Sequence, residues 1–389
     1  PAPAVPLPAH APAEVIAAAA LMEGLADPAM LVDAEGRITA ANTAARRQMQ
    51  FQTVGVRLSS VLRRPELLDA VQDATQVRRR AEVEYEPMGG VEEHFKVLVA
   101  PVAVGADTSA LMVFQDQTTM INTERMRVDF LANASHELRT PLASLTLLIE
   151  TLAGHARNDP DAQERFLKLM QAQAERMARL IDDLLSLSKI ELNEHVPPSD
   201  HVDLVALTRE VVDTLGPIAQ EQNVTLAPKY ERPSAWVVGD RSQLIQVAQN
   251  LVDNAIKYSP RGGTVEIDIA SAANRDEAAA RAGRRWEEAS RISLLTPPPI
   301  PERRYVVLRV VDSGPGIARR HLPRLSERFF RVERDETTDH SGTGLGLAIV
   351  KHIVNRHRGG FIVESEVGRG SAFAVFIEQP AETEQEAAA

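Results

Sequence analysis

The chain has 389 residues, room for two or three domains, with 44% hydrophobic and 25% charged residues, ordinary for soluble globular domains. A net charge of −11 argues against a nucleic-acid-binding surface, because phosphate contacts need a basic face, and Arg78-Arg79-Arg80 reads as a solvated strand or loop end. The absence of cysteine excludes disulfides, iron–sulfur clusters and thiolate zinc sites and fits a reducing cytosol, and no apolar run is long enough to span a bilayer.

Residues 1–13 are Pro/Ala-rich and are expected to be a flexible lead-in. From 14 to 118 the pattern is mixed. A short helical run through Leu21 precedes Ala29-Met30-Leu31-Val32-Asp33, a turn at Glu35-Gly36, and Arg37-Ile38-Thr39-Ala40-Ala41-Asn42. Apolar strand candidates follow at 81–86, 93–103 and 109–116. A helix, a hairpin with a Gly turn, small helices and three more strands, above all the stretch LVDAEGRITAAN, resemble a PAS sensory domain. His94 could hold a haem, although a strand histidine on the surface is the simpler reading.

Residues 119–154 read as one long helix. Val128, Leu131, Leu138, Leu142, Leu145, Ile149 and Leu152 recur at threes, fours and one seven, forming an apolar stripe. His136 falls on the wetter shoulder of that stripe, next to Glu137, and Pro141 removes a backbone donor a turn later. An exposed imidazole with an adjacent carboxylate suits nucleophilic or proton-transfer work near neutral pH, but alone it is also the pattern of a surface histidine on a charged helix face. A turn through Asn158-Asp159-Pro160 leads to a second helix ending near Asn193, with Phe166, Met170, Gln173, Met177, Leu180, Leu184 and Leu187 on one face and Ile181, Leu185 and Ile190 widening it. The two helices make an antiparallel hairpin, and so wide a stripe is best covered by pairing two hairpins into a four-helix bundle, hence a homodimer.

After the linker Val196-Pro197-Pro198-Ser199-Asp200 comes an α/β pattern: a helix at 203–222, short strands at Val224-Thr225-Leu226 and Trp236-Val237-Val238, and a helix from Ser242 to Tyr258. Strands at 264–270 and 305–312, a glycine-rich helix start at 342–357 and strands at 361–366 and 371–377 complete it; the Ala/Glu tail from 381 is expected to be disordered. Asn250, Asn254 and Lys257, four and three apart, share one helix face, where two carboxamides offer oxygens to a hard cation and the lysine suits phosphate. Strand 305–312 ends in Asp312-Ser313-Gly314-Pro315-Gly316-Ile317, where a carboxylate can accept a purine amine and glycines let a base approach the backbone. Gly342-Thr343-Gly344-Leu345-Gly346-Leu347 opens into a helix whose first N–H groups can hold phosphate.

Each piece alone could be structural; their order is informative. His-Glu-Leu-Arg-Thr-Pro, Asn-x-x-x-Asn-Ala-x-Lys-Tyr, Asp-x-Gly-x-Gly, Glu327-Arg328-Phe329-Phe330-Arg331 and Gly-Thr-Gly-Leu-Gly-Leu resemble the five boxes of sensor histidine kinases over roughly residues 119–378. The stretch ERFFRVERDETTDHSGTGLGLAIVKHIVNRHRG, with the PAS-like part ahead, further resembles phosphate-regulon sensor kinases. The resemblance implies a multidomain α+β chain. It would comprise a PAS-like α/β domain (14–118), a hairpin forming a dimeric four-helix bundle (119–195) and a GHKL (Bergerat) α/β-sandwich ATP-binding domain (200–380). It implies ATP and Mg²⁺ as nucleotide and metal, His136 as phosphoacceptor through Nε2, Glu137 as its hydrogen-bond partner at Nδ1, and Thr140 as the residue that orients water when a regulator is dephosphorylated. Asn254, assisted by Asn250, would ligate Mg²⁺. Lys257, Tyr258 and Arg331 would face the phosphates, Asp312 with Gly314 and Gly316 would bind adenine, and Gly342, Thr343, Gly344, Leu345 and Gly346 would form the phosphate loop beside a mobile lid at 332–341. The implied partners are a second copy of the chain and the receiver domain of a response regulator. The chain starts at Pro1 without an initiator Met, which leaves room for the reading that it is the cytosolic part of an inner-membrane sensor.

Two other readings are weaker. A nucleotide-binding scaffold that no longer turns over conflicts with the intact His136, Asn254 and glycine loops, and a gyrase- or chaperone-type ATPase would carry glutamate at position 250 and lack the hairpin. One stretch departs from the family. Residues 271–304, rich in Ala, Arg and Glu and ending in Pro297-Pro298-Pro299-Ile300-Pro301, replace a short hairpin connection. The expectation is a partly disordered surface insertion, with docking of a partner on the extended polyproline run as the alternative. Anchored at the strand ends away from Asp312, it should reach neither the adenine pocket nor Mg²⁺ unless it folds back along the sheet, so that its replacement by a short turn would be tolerated.

Overall fold

A computed structural model of the chain describes residues 12–87, 93–105, 107–154, 159–283, 286, 288–298, 300, 303–332 and 342–380. The expected lead-in (apart from its last two residues), the first part of the hairpin turn, the lid beyond Val332 and the tail at 381–389 lie outside the described residues. The chain divides into two compact units, Pro1–Leu131 and Ala132–Ala389.

In the first unit, α1 (Ala13–Glu23) is followed by β1 (Ala29–Val32), β2 (Ile38–Ala41), α2 (Thr43–Gln48), α3 (Leu58–Val61) and α4 (Pro65–Gln72), then β3 (Ala81–Tyr85), β4 (Phe95–Val104) and β5 (Asp107–Asp116). The strands form one antiparallel sheet in the order β2-β1-β5-β4-β3. Met30, Val32, Val97, Val99, Met112 and Phe114 bury one face against Leu58, Leu62, Leu67 and Val71, while Leu31 and Ala40 on the other face are covered by Val15 and Met22 of α1. Asn42, the last residue of LVDAEGRITAAN, ties three elements together. Its Oδ1 accepts from the N–H groups of Ala29 (3.0 Å) and Ala45 (2.8 Å), and its amide donates to the carbonyl of Asp27 (2.8 Å). His94 corrects the surface-histidine expectation. It is buried, with Nδ1 3.0 Å from Glu86 Oε1 and Nε2 3.2 Å from the Arg125 guanidinium, so both ring nitrogens are engaged.

Helix α5 (Thr118–Ala153) spans the boundary and, with α6 (Pro160–Leu192), makes the hairpin. Asp159 caps α6 by accepting from the Ala162 N–H at 3.0 Å, with Pro160 in the first turn. The α5 stripe is largely uncovered in the single chain: Val128, Leu131, Leu142 and Ile149 are all more than half exposed.

The remainder is β6 (His201–Asp203), α7 (Leu204–Glu221), β7 (Thr225–Tyr230), β8 (Trp236–Val238), α8 (Arg241–Tyr258), β9 (Thr264–Ala272), α9 (Arg275–Ala282), β10 (Ser290–Leu295), β11 (Tyr305–Asp312), α10 (Gly346–Arg356), β12 (Gly360–Glu366) and β13 (Gly370–Glu378). Six strands form a sheet in the order β10-β12-β13-β11-β9-β7, and β6 and β8 pair separately. Helices α8 and α10 cover one face. The insertion covers the other, contrary to the expectation of a disordered loop. Ala278 and Ala282 of α9 pack on Tyr305, Val307, Ile362, Ala374 and Phe376, all buried. The chain then runs back along the sheet, and β10 adds an edge strand beside β12, with Ser290 opposite Ser365 at the Asp312 end and Leu295 opposite Phe361 at the other. The condition under which the insertion approaches the nucleotide end is therefore met, and its removal would strip an apolar face.

His357, buried behind α8, accepts from the Asp240 N–H through Nε2 (3.0 Å), and its Nδ1 lies 2.8 Å from the carbonyl of Ile353. Burial, with Arg356 adding and the Ile353 carbonyl and Asp240 opposing, holds its imidazole below the ordinary value of 6.5.

Two stability predictions follow from these packings. Ala278→Asp puts a carboxylate into the α9–sheet contact and is expected to lower unfolding free energy by about 2–4 kcal/mol in denaturant titration; an unchanged midpoint would mean that α9 does not cover the sheet. For His357, the unfolded chain takes up a proton as pH falls through 6.5 while the folded chain resists, so stability is lost on acidification until the lower folded pKa is passed. His357→Gln is expected to flatten the decline in thermal midpoint between about pH 7 and 5, and an undiminished slope would exclude this histidine as its source.

Candidate active site

Asp240 caps α8, its Oδ1 accepting from the N–H groups of Ser242 and Gln243. Leu244, Val247, Ala248, Leu251 and Val252 then bury one side of the helix. That leaves Asn250, Asn254 and Lys257 on the shoulder facing a cavity of about 290 Å³. Asp312 and Gly316 reach the same cavity from the end of β11, Arg331 from the phenylalanine box, and Gly342, Thr343, Gly344 and Gly346 from the loop before α10. Tyr258 also lines it, its ring centroid 5.6 Å from Lys257 Nζ.

Asp312 is buried, and its Oδ1 accepts from the N–H groups of Gly314 (2.8 Å) and Ser371 (3.2 Å), which fix the carboxylate at the base of the cavity. Gly314 acts from behind the wall rather than on it. Gly316 has φ +69, and a Cβ there would collide with the Glu366 carbonyl. Gly344, at φ +71, lies so close that a Cβ would come within 2.8 Å of Phe329 Cα. Phe329 itself has φ +63 and donates its N–H to the Gly344 carbonyl at 2.9 Å, so the phenylalanine box and the glycine loop hold each other in place. Leu345 is fully buried as the foot of that loop, and α10 starts at Gly346, four residues later than expected from the glycine run.

Burial pushes the Lys257 ammonium below its ordinary pKa; Asp253 opposes this and Arg331, Arg176 and Arg179 add to it. A lysine crowded by cations in a cavity is the electrostatic mark of an anion site. For a metal, no group of three His, Cys, Asp or Glu among the described residues is arranged to hold one. Mg²⁺ needs only one or two protein oxygens, because waters and phosphate complete its shell. The carboxamides of Asn250 and Asn254 fit that demand. Glycine at 346 makes room for the first, since a Cβ there would stand 2.8 Å from Asn250 Oδ1.

His136 and Thr140 are exposed on α5 and do not line the cavity. The Thr140 hydroxyl donates to the His136 carbonyl at 3.3 Å, and Glu137 Oε2 accepts from Arg176 at 3.4 Å. Helix α6 is joined to the α8–α10 part by Ser186–Gln246 (2.9 Å) and by Asp183 Oδ2, which accepts from the Thr343 hydroxyl at 2.8 Å, and Glu194, just past its end, pairs with His352 (3.3 Å). Arg179 and Asp183 line the cavity, and the sequence reading missed both. Their spacing of four was visible, but two charges on a helix shoulder ordinarily mark a solvated face.

Residues 126–193 match the family described as His Kinase A (phospho-acceptor) domain, and residues 239–381 match Histidine kinase-, DNA gyrase B-, and HSP90-like ATPase. The phosphate regulon sensor protein PhoR of Pseudomonas aeruginosa is 30% identical over 368 residues, 93% of this chain and 75% of that protein. The chain belongs to the sensor histidine kinases. Other relatives are the sensor-like histidine kinase SenX3 of Mycolicibacterium smegmatis, 34% identical over 69% of this chain and 62% of its own, and the sensor histidine kinase WalK of Bacillus subtilis, 31% identical over 71% and 40%. The chain thus spans less than two thirds of these last two. Apart from Arg179 and Asp183, the residues lining the cavity lie within the matched ATPase domain, and that match supports ATP as the kinase's nucleotide. Among the described residues, no helix is long and apolar enough to cross a membrane.

Proposed function

We propose that this kinase transfers the γ-phosphoryl group of ATP to Nε2 of His136 and then passes it to an aspartate of a response-regulator receiver domain. The observation that carries the residue assignment is the convergence of Asn250, Asn254, Lys257, Asp312 and the glycine loop on one cavity, in a compact unit that also holds most of the hairpin. Asp312 accepts the purine amine, Lys257, Tyr258 and Arg331 face the phosphates, and the N–H groups at the start of α10 hold their oxygens. Mg²⁺, carried on Asn254 with Asn250, would supply charge neutralisation across the polyphosphate.

Nε2 attacks the γ-phosphorus as the bond to the β–γ bridging oxygen breaks and ADP departs with that oxygen. Glu137 accepts the Nδ1–H and stabilises the cation that forms on the ring. Because Glu137 holds Arg176 in the arrangement described, that pair opens as the imidazole engages. The separation of His136 from the cavity lining means that the ATP-binding domain shifts to deliver the phosphoryl group. The uncovered α5 stripe supports a homodimer through paired hairpins, and the likeness to a phosphate regulon sensor protein supports signalling in a phosphate regulon. The strand order of the first unit, with Asn42 at its hairpin, supports a PAS-type sensory domain.

Incubation with ATP and Mg²⁺ is expected to give an acid-labile, alkali-stable label that His136→Ala abolishes and Asn254→Ala reduces to background with the fold intact by circular dichroism. A label surviving His136→Ala would sink the assignment. Thr140 is one turn from the nucleophile and its hydroxyl donates to the His136 carbonyl, so Thr140→Ala should retain autophosphorylation while slowing loss of phosphate from the regulator. Equal regulator dephosphorylation by variant and wild type would remove the phosphatase role.

A further inference from the structure

One wall of the nucleotide cavity belongs to none of the ATP-binding boxes. Arg179 and Asp183 of α6 line it beside Lys257, Arg331, Gly342 and Thr343, the phosphate end by the reading above. The wall is held in place: Asp183 is bonded to Thr343, Ser186 ties the next turn of α6 to Gln246, Glu194 just beyond the helix pairs with His352, and Arg176, a turn earlier, is held on Glu137. Its spacing is helical, so residues 176, 179 and 183 fall along one side of α6.

The charges show what this wall lacks. Lys257, Arg331 and Arg179 line the cavity together, and among the described residues that line it Asp183 and Asp253, with Asp312 on β11, are the acidic ones. Asp183 is itself a weakened counter-charge, because burial raises its pKa, with the Thr343 hydrogen bond and Arg179 opposing. A guanidinium brought from another domain into such a cluster costs repulsion unless an anion arrives to meet it. Arg, unlike Lys, presents a planar fork that engages two oxygens of one phosphate.

We propose that Arg179 is a nucleotide-binding residue supplied by the hairpin, its guanidinium engaging the terminal phosphate, so that this wall distinguishes a nucleoside triphosphate from the diphosphate. Asp183 holds the wall in register through Thr343 and keeps Arg179 turned to the cavity. This deepens the ATP reading and rests on it.

The test compares binding of ATP, ADP and adenosine to the full chain by calorimetry, in the wild type, Arg179→Gln and Arg179→Lys. Arg179 is exposed on its helix, so the variants are expected to keep the wild-type thermal midpoint. Arg179→Gln should weaken ATP binding roughly ten-fold, the loss of a charge-assisted contact, while ADP and adenosine stay within about two-fold and Lys restores part of the ATP affinity. An ATP-to-ADP affinity ratio unchanged from wild type overturns the proposal, as does an equal loss for ATP and ADP, which would mean that Arg179 only positions the hairpin. A wild-type chain that binds none of the three ligands would instead overturn the nucleotide reading itself, so the two failures are distinguishable.

Discussion

Strand β11 must be buried on both faces, and most of the ATP-binding part follows from that constraint. It lies inside the sheet between β13 and β9, and Tyr305, Val306, Val307, Leu308 and Val310 all have almost no exposure. Each such side chain contributes about 1.5–3 kcal/mol only if it is covered. Val306, Leu308 and Val310 are covered by the helix layer, and Tyr305 and Val307 by α9. Asp312 continues the alternation on the helix side, which carries its carboxylate to the cavity lined by α8. The carboxylate is tolerated there because Gly314 and Ser371 donate to it. The same alternation that builds the core thus positions the Asp312 carboxylate in the site.

The hairpin obeys a different balance. Helix α6 buries Leu180, Leu187 and Ile190, but its links to the ATP-binding part are mostly half-exposed ion pairs such as Glu191–Arg328 and Glu194–His352. Pairs of that kind contribute about 0–1 kcal/mol each, so these polar links add little to the hold between the two parts. The proposed transfer to His136, which lies outside the cavity, calls for polar links no stronger than these. The uncovered stripe of α5 is the opposite case: apolar residues at regular spacing over so long a helix need a permanent cover.

Periodicity and spacing made most of this legible. The strands at 236–238 and 305–312 match observation residue for residue, and the carboxamide–lysine face of α8 points into the cavity as the spacing required. What remained hidden depended on tertiary partners. The Ala/Arg/Glu insertion has the composition of a solvated loop, and α9 carries only alanines on its buried side. The sign that it covers a sheet lay elsewhere, in the nearly continuous apolar runs of β11, β12 and β13, which a sheet open on one face would not show. His94 was misread for a similar reason, because burial of a histidine is decided by Glu86 and by Arg125, which lies 31 residues away. Arg179 and Asp183 were invisible as site residues because their relation to Thr343 exists only when α6 docks.

That docking gives the cavity a thermodynamic consequence. A nucleotide that touches only α8, β11 and the glycine loop has the same affinity whether the hairpin is docked or not, and it cannot shift the docking equilibrium however tightly it binds. A nucleotide that also meets the α6 wall has differential affinity, and linkage then requires that docking favour binding by the factor by which binding favours docking. The Thr343 hydroxyl enters the same cycle, since it is bonded to Asp183 in the docked arrangement and belongs to the loop proposed to receive phosphate. Under the reaction and the contact proposed above, transfer of the terminal phosphate to His136 would remove the group through which the two parts are linked. On that proposal, repulsion among Lys257, Arg331 and Arg179 would favour release of the hairpin after phosphoryl transfer.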